Sequence, residues 1–328
     1  MELINPTPYQ AQVFRTPLGE DQVLAVVVIK ATYAYDREGL VTLDRDCPLP
    51  IYREYLVTDV GQLWPEGFAT RFLAEVFVLG RAMTPDLRPA PELDVRLRVG
   101  ELDVAARVSG KRTWQARWLR APQIGPAELF ETMPLDWSHA FGGRAIAGGR
   151  RVPNLDNPVG RGYVLDAKQL DGVELPNIEE PDRLIQRWSD QPRPLAFTPL
   201  APGSALVDID DAHNPTPPEA SMSGPWATGS STLNFAHPLL RLAALREGTV
   251  VMMDGMSPHG RKGFHLETPH VFASVTVGKG TTKIYCKPDT FYLYPQHHRF
   301  AVTARKAIRY KLRDGELRSV RLDWVRPG

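Results

Sequence analysis

Apolar residues recur at every second position in several stretches of this chain, and no other sequence feature constrains its fold as strongly. Residues 93–99 and 102–108 alternate apolar with charged or small residues, and Gly100 lies between them. A period of two is typical of strands with one buried face, and the break at Gly100 predicts a hairpin. The same alternation marks three C-terminal stretches, 271–277, 300–305 and 320–324. The sequence therefore predicts a protein built mainly from β-strands.

Two further stretches, 23–35 and 71–79, are apolar at both parities, which predicts strands covered on both faces. The 328 residues include 30 prolines, a residue that interrupts helices and central strands. We therefore expect only short helices, at 126–132, 182–188 and 238–246.

The middle of the chain is poor in periodic patterns and rich in Gly, Pro, Asn and Asp. We expect two β-rich, sandwich-like lobes joined by an irregular Pro/Gly-rich centre with a few short helices. The expected boundaries are an N-terminal lobe at 1–140, a central segment at 141–248 and a C-terminal part at 249–328. In an alternative arrangement the first and last of these pack as one unit. Residues 201–232 are expected to form a flexible loop, because their Pro, Ser, Gly and Asp content disfavours packed structure.

Composition limits the partners and the compartment. The net charge of +1 gives no basic footprint for nucleic acid. The longest uncharged apolar run, 23–29, is far too short to span a bilayer, and the first residues lack the basic and apolar regions of a signal peptide. Cys47 and Cys286 cannot form a disulfide framework, which predicts free thiols in a reducing compartment. We expect a cytoplasmic protein with no nucleic-acid or membrane partner.

No motif in the sequence carries recognisable catalytic chemistry. It contains no Walker-type phosphate loop, no G-x-S-x-G elbow and no H-E-x-x-H helix. The eight histidines lack the close spacing of zinc ligands, and no cysteine pair accompanies them. The sequence therefore predicts a non-enzymatic protein with no metal and no cofactor.

Three segments combine Gly, Pro, Asn and aromatic residues unusually densely. These signature segments read MPLDWSHAFGG at 133–143, NPVGRGY at 157–163 and LPNIEEP at 175–181. Glycine permits positive φ, proline fixes φ and asparagine bonds neighbouring backbone, so such segments make loops of defined shape. At any single residue the favoured interpretation is an ordered loop that caps the sheets. The alternative is a rigid surface that binds a partner.

In this order, and followed by QPRPLAFTP at 191–199, the signature segments resemble an accessory family encoded with type VI secretion genes and catalogued as a domain of unknown function. Stretches at 64–85, 245–260 and 287–308 are similar to that family as well, so the resemblance covers most of the chain. It implies an adaptor or chaperone that binds a toxin effector and assists its loading onto the spike protein VgrG, often alongside a PAAR-type tip. Residues 200–232 depart from the family pattern, which only Trp226 echoes.

The signature segments supply the candidates for partner contact, since interfaces are enriched in aromatic residues and arginine. These candidates are Trp137, His139, Phe141, Asn157, Arg161, Tyr163, Asn177 and Glu179. Two other functions stay open. A structural spike or baseplate component would form symmetric oligomers by itself, and an uncharacterised β-fold hydrolase would need a deep polar pocket with a perturbed acid and base.

Overall fold

The structure, a computed structural model, describes residues 1–67, 73–117, 120–199 and 234–325. Strands account for 50% of the chain and helices for 7%, which confirms the predicted mainly β fold. The strands of the described residues are β1 Glu2–Ile4, β2 Gln10–Pro17, β3 Gln22–Tyr35, β4 Val41–Leu43, β5 Leu56–Thr58, β6 Gly61–Leu63, β7 Ala74–Val78, β8 Arg81–Met83, β9 Glu92–Val99, β10 Leu102–Ser109, β11 Trp114–Arg117, β12 Arg120–Ile124, β13 Thr132–Pro134, β14 Phe141–Gly142, β15 Arg144–Ala147, β16 Arg150–Pro153, β17 Arg161–Gly162, β18 Ile178–Glu179, β19 Arg241–Leu242, β20 Val250–Asp254, β21 Lys262–His265, β22 Val271–Val277, β23 Gly280–Tyr294, β24 Arg299–Lys311 and β25 Leu317–Trp324.

The larger sheet joins strands from both ends of the chain. Its order is β1-β25-β22-β23-β24-β3-β2, with β4 beside β3, β7 beside β23 and β19 beside β7, ten strands in all. Strand β3 pairs antiparallel with β24 along its whole length, from Gln22 opposite Lys311 to Ala34 opposite Arg299. The residues predicted as the N-terminal lobe and the C-terminal part therefore contribute neighbouring strands to one sheet.

This larger sheet is nearly closed on itself, because apolar residues on one of its faces pack against one another. Side chains of β3, β22 and β25 form a buried cluster that also contacts β1 and β2. Cys286 lies in this cluster, and burial raises the pKa of its thiol to about 12. Cys47 is exposed, and both cysteines are free thiols, as predicted.

A smaller sheet of five strands packs against the larger one, in the order β18-β10-β9-β20-β21. Strands β9 and β10 form the predicted hairpin, with Val99 opposite Leu102 beside the turn. Their inward-facing residues pack against β7, β23 and β24 in the main core, where the rings of Phe291 and Phe300 lie 5.6 Å apart. The alternation predicted from the sequence thus marks the face that closes the core.

A group of charged side chains is buried against the larger sheet. Lys30 Nζ lies 3.0 Å from a carboxylate oxygen of Glu66, and the other Glu66 oxygen accepts from the Thr303 hydroxyl at 2.7 Å. Arg305 contacts Asp289 at 2.9 Å and donates to the Glu66 carbonyl at 3.1 Å. Burial raises the pKa of Glu66, but the charges of Lys30 and Arg305 outweigh it and lower that pKa, so the carboxylate stays ionised. We call these residues the buried charge cluster.

The helices in the described residues are all three-residue 3₁₀ turns, shorter than the sequence predicts. No helix forms at 126–132, where the backbone of Phe130 pairs instead with Ala90. The helices predicted at 182–188 and 238–246 are reduced to single turns. The turns are Pro85–Leu87, Trp137–His139, Ala167–Gln169, Pro181–Arg183, Pro238–Leu240, Pro295–His297 and Leu312–Asp314.

Two other expectations from the sequence concern membrane spans and the segment at 200–232. Among the described residues, no helix has the length and apolar character needed to cross a membrane. The flexible loop predicted at 201–232 and the departure from the family pattern at 200–232, including Trp226, lie outside the described residues.

Candidate partner-binding site

Asn157 holds the first two signature segments together. Its side chain is fully buried, and its Nδ2 donates to the carbonyls of Trp137 at 2.8 Å and Phe141 at 2.9 Å. Gly142 packs so tightly on Asn157 that a Cβ there would collide with the Asn157 carbonyl, and its φ of +142° favours glycine. The predicted ordered loops are therefore fixed by side-chain-to-backbone hydrogen bonds.

The third signature segment is anchored in the same way. Asn177 is buried, its backbone N–H donates to the His139 carbonyl at 2.8 Å, and its Nδ2 donates to the Ser109 carbonyl at 2.9 Å. The Glu179 carboxylate accepts from the Arg112 guanidinium and from the Ile185 backbone N–H. Asn177 thus joins the first signature segment to the end of β10.

Two of the three aromatic residues of the signature segments, Trp137 and Phe141, face inward. Trp137 is 8% exposed, and its Nε1 donates to the Thr198 carbonyl at 2.7 Å. Phe141 is 3% exposed and lies in a small apolar cluster separate from the main core. Its ring is edge-on to that of Tyr163, with ring centres 6.3 Å apart. These rings set the shape of the loops and leave little area for direct contact with a partner.

A cleft of about 530 Å³ opens between the first two signature segments and the hairpin formed by β5 and β6. Val57, Gln62, Val159 and Thr198 contribute to its walls, and so does one side of Trp137. Within the described chain, two buried polar atoms in this wall, Gln62 Oε1 and Thr198 Oγ1, have no hydrogen-bond partner. The walls of this cleft therefore combine apolar side chains with polar ones.

A second cleft of about 370 Å³ adjoins the first at Arg161, which lines both. Arg161 Nε donates to the Ser138 carbonyl at 2.8 Å, and its Nη1 lies 3.2 Å from a Glu174 carboxylate oxygen. Lys111 contacts the other Glu174 oxygen at 2.8 Å, and its hydrogen bond is the largest cause that lowers the pKa of Glu174. The pair of Arg161 and Glu174 therefore forms a charged divide between two adjacent clefts.

One constellation beside the first cleft contains the residue types of a hydrolase triad but lacks the geometry. Ser138 Oγ lies 3.0 Å from His139 Nδ1, and Asp136 Oδ1 lies 2.7 Å from that same nitrogen. A nucleophilic triad places the imidazole between hydroxyl and carboxylate, with a different ring nitrogen facing each. Asp136 instead caps the 3₁₀ turn by accepting from the Ser138 backbone N–H, so this group stabilises the loop.

No set of three or more His, Cys, Asp or Glu side chains in the described residues is placed to hold a metal ion. The shifted pKa of Asp136 in the wall of the first cleft also reflects its role in the loop structure. Burial raises the pKa of Asp136, but hydrogen bonds from His139 and Ser138 outweigh burial and lower that pKa overall. What the arrangement offers is a rigid, shaped surface with both apolar and charged groups.

The eight candidates from the sequence divide into two groups by accessibility. Trp137, Phe141, Asn157, Asn177 and Glu179 are buried and position the loops. His139, Arg161 and Tyr163 are partly exposed, and the Arg161 side chain keeps 28% of its surface accessible. The sequence reasoning missed Val57, Gln62, Glu174 and Thr198, because they come from outside the three segments or between them.

His237, whose ring centre lies 6.3 Å from that of Trp137, is expected to make a pH-dependent contribution to stability. Its Nδ1 accepts from the Leu239 N–H, and burial lowers its pKa from 6.5 to about 4. The unfolded chain therefore binds this proton at a higher pH than the folded chain, so stability should be complete above pH 6.5 and fall as the pH drops towards 4.

The variant His237→Asn keeps an acceptor at the helix cap but cannot titrate. Urea unfolding across this pH window should therefore give a flatter stability curve for the variant than for the native chain. Equal slopes for the two proteins would contradict the assignment to His237.

A family model described as "Uncharacterized protein conserved in bacteria (DUF2169)" matches residues 20–305. That range includes all three signature segments and runs from just before β3 into β24. No curated protein and no solved structure matches the chain.

Proposed function

The chain belongs to the DUF2169 family of uncharacterized bacterial proteins, and on that premise we propose that it acts by binding another protein. The observation that carries this proposal is that the first two signature segments line two adjacent clefts, while Asn177 of the third segment anchors the first. Fully buried Asn157 and Asn177 fix the walls of these clefts. Rigid surfaces of this kind bind with little loss of conformational entropy.

The composition of the site suits recognition better than catalysis. Arg161 presents a partly exposed guanidinium at the junction of the clefts, next to apolar walls from Val57 and Val159. Arginine and aromatic residues are enriched where partners bind, whereas catalysis needs a nucleophile or base aligned with its own orienting group. The Ser138 and His139 geometry does not supply that alignment.

The resemblance of the signature segments to the type VI accessory family suggests the partner. We propose a non-enzymatic adaptor that binds a toxin effector in the cytoplasm and assists its loading onto VgrG, with or without a PAAR-type tip. Binding of the effector is expected to be the tighter contact, and binding of the spike to be weaker or conditional.

Deletion of the gene, followed by measurement of the secretion of each effector, tests this proposal. Loss of one effector while the secretion tube still fires is the expected result. Loss of all secretion would favour a structural component of the spike or baseplate. Unchanged secretion of every effector would refute both.

Arg161→Ala tests whether the junction of the clefts carries the contact. We expect effector capture by the purified protein to weaken by about tenfold or more, since buried or half-buried arginines are frequent hot spots. Arg318→Ala, which removes an exposed arginine on β25, is the matched control and should leave capture unchanged. Thermal melts of both variants must show folded protein before the comparison counts. Equal capture by the two variants would remove Arg161 from the site.

A further inference from the structure

Strands β5 and β6 form a hairpin that belongs to neither large sheet, and in the described part of the chain they pair only with each other. A two-stranded hairpin alone is marginally stable in water, so its position depends on contacts outside the hairpin. Four of its residues line the first cleft: Val57, Thr58, Gly61 and Gln62. The contacts that hold this hairpin in place therefore also set the shape of the cleft.

Glu66 closes the loop that carries the hairpin. Tyr52 and Glu66 are 14 positions apart in the sequence and are bonded twice. The Tyr52 N–H donates to a Glu66 carboxylate oxygen at 2.9 Å, and the Glu66 N–H donates to the Tyr52 carbonyl at 2.9 Å. Compact loops of about 6–16 residues with adjacent ends are packed by their own side chains. Here the rings of Tyr55 and Trp64 pack edge to face, with centres 4.9 Å apart. We call residues 52–66 the clamp loop.

The same carboxylate attaches the clamp loop to the larger sheet. The Glu66 oxygens contact Lys30 Nζ at 3.0 Å and the Thr303 hydroxyl at 2.7 Å, and the Glu66 carbonyl accepts from Arg305 at 3.1 Å. Glu66 is 1% exposed, and Lys30 is fully buried. Hydrogen bonds to charged groups are stronger than neutral ones, and burial shields these from competing water. The base of the clamp loop is therefore firmly held.

The tip of the hairpin has a weaker attachment. Asp59 in the turn contacts Arg81 Nη2 at 3.1 Å, but the Asp59 side chain is 79% exposed. Exposed ion pairs contribute little, because water screens them. Gly61 packs on Thr198 so closely that an added Cβ would lie 2.7 Å from the Thr198 methyl carbon, but this contact supplies no directional bond. The buried bonds at the base therefore decide where the hairpin lies.

We propose that the Glu66 side chain is a positioning group for partner binding: its bond to the Tyr52 N–H closes the clamp loop and thereby holds the β5–β6 hairpin as a wall of the first cleft. The inference rests on the proposed binding function, and it gives a role in that function to a residue that lines neither cleft. A wall that is already ordered costs less conformational entropy when a partner binds. Glu66 therefore affects affinity without touching the partner.

Two variants separate this role from a general contribution to stability. Glu66→Gln removes the charge but keeps a carbonyl oxygen that can accept from the Tyr52 N–H. Lys30→Met with Glu66→Leu leaves no unpaired ion but offers that N–H no acceptor. In urea the first variant should therefore be the less stable one, although its hairpin stays in place. The second should be more stable, although its hairpin loosens.

Hydrogen–deuterium exchange of the full-length protein, followed by mass spectrometry, measures the order of the hairpin at 56–63. The β9–β10 hairpin of the smaller sheet is the internal reference. Relative to it, exchange at 56–63 should be about tenfold faster than in the native chain for Lys30→Met with Glu66→Leu, the effect of one lost hydrogen bond. For Glu66→Gln it should change by less than about threefold. Equal exchange in the two variants, or faster exchange in Glu66→Gln, would overturn the proposal.

Capture of the effector identified by gene deletion measures the consequence for binding. It should weaken by about tenfold for Lys30→Met with Glu66→Leu and by less than about threefold for Glu66→Gln, against the order of their stabilities. If exchange behaves as expected but both variants capture the effector equally well, Glu66 has no role in binding, while the adaptor function stands. If deletion affects no effector, the adaptor function fails, and exchange alone decides whether Glu66 positions the hairpin.

Discussion

Replacing Glu66 by alanine is expected to lower the free energy of unfolding by about 3–5 kcal/mol, because it leaves buried positive charge without its partner. Lys30 Nζ would lose a contact of 3.0 Å, while its bond to the Pro50 carbonyl remains. The Lys30 ammonium lies over the rings of Tyr52 and Tyr292, which stabilise it only in part. Chemical denaturation with urea measures the change.

The matched control is Asp103→Ala, which removes a carboxylate from the exposed pair with Arg96. Surface pairs contribute little because water screens them, so the control should be far less destabilised. If the two variants lose equal unfolding free energy, the buried charge cluster contributes no more to stability than a surface pair does, and the prediction is wrong. A second variant, Lys30→Met with Glu66→Leu, removes both charges together. It should recover much of the loss, since an apolar replacement leaves no unpaired ion.

Asn157→Ala is the second change with a large expected effect. It removes the donors to the Trp137 and Phe141 carbonyls, two acceptors in a buried site, and should cost about 2–4 kcal/mol of unfolding free energy. The loops around the clefts should also become accessible to proteases while the two large sheets remain folded.

Asn5→Ala is the control for this change, because Asn5 is exposed and its side chain bonds residues of its own turn. Limited proteolysis followed by mass spectrometry locates the cleavage sites. Protection of residues 137–163 in Asn157→Ala equal to that in the native chain would mean that Asn157 does not hold the signature segments in place.

The period-two pattern predicted the strands well because the pattern depends only on which face of a strand is buried. The β9–β10 hairpin lies where the alternation placed it, and β3 is buried on both faces, as apolar residues at both parities indicated. Helix predictions failed where pairing with distant strands overrode local preference. At 238–246 the chain does begin a helical turn at Pro238, but Arg241 and Leu242 then add to β7.

Non-local pairing also hid the buried charge cluster. Lys30 is the one charge within an apolar run, and sequence alone gives no partner for it, since Glu66 and Arg305 come from distant parts of the chain. The partner-binding role of the eight candidate residues stays a prediction, and burial separates those that position the loops from those that are accessible. Aromatic character suggested contact, whereas Trp137 and Phe141 are buried. The Gly148-Gly149 pair was a readable signal of the hairpin formed by β15 and β16.

The register of β3 against β24 has a consequence for how the protein is made. Strand β3 ends at Tyr35 and its partner begins at Arg299, so about 260 residues are synthesised between them. At about 5–20 residues per second, the apolar β3 remains without that neighbour for on the order of 10–50 s. During this time its edge is available to other nascent chains and to chaperones. Completion of the larger sheet therefore depends on residues that are synthesised long after β3, and a product truncated before Arg299 would leave the edge of β3 that pairs with β24 uncovered.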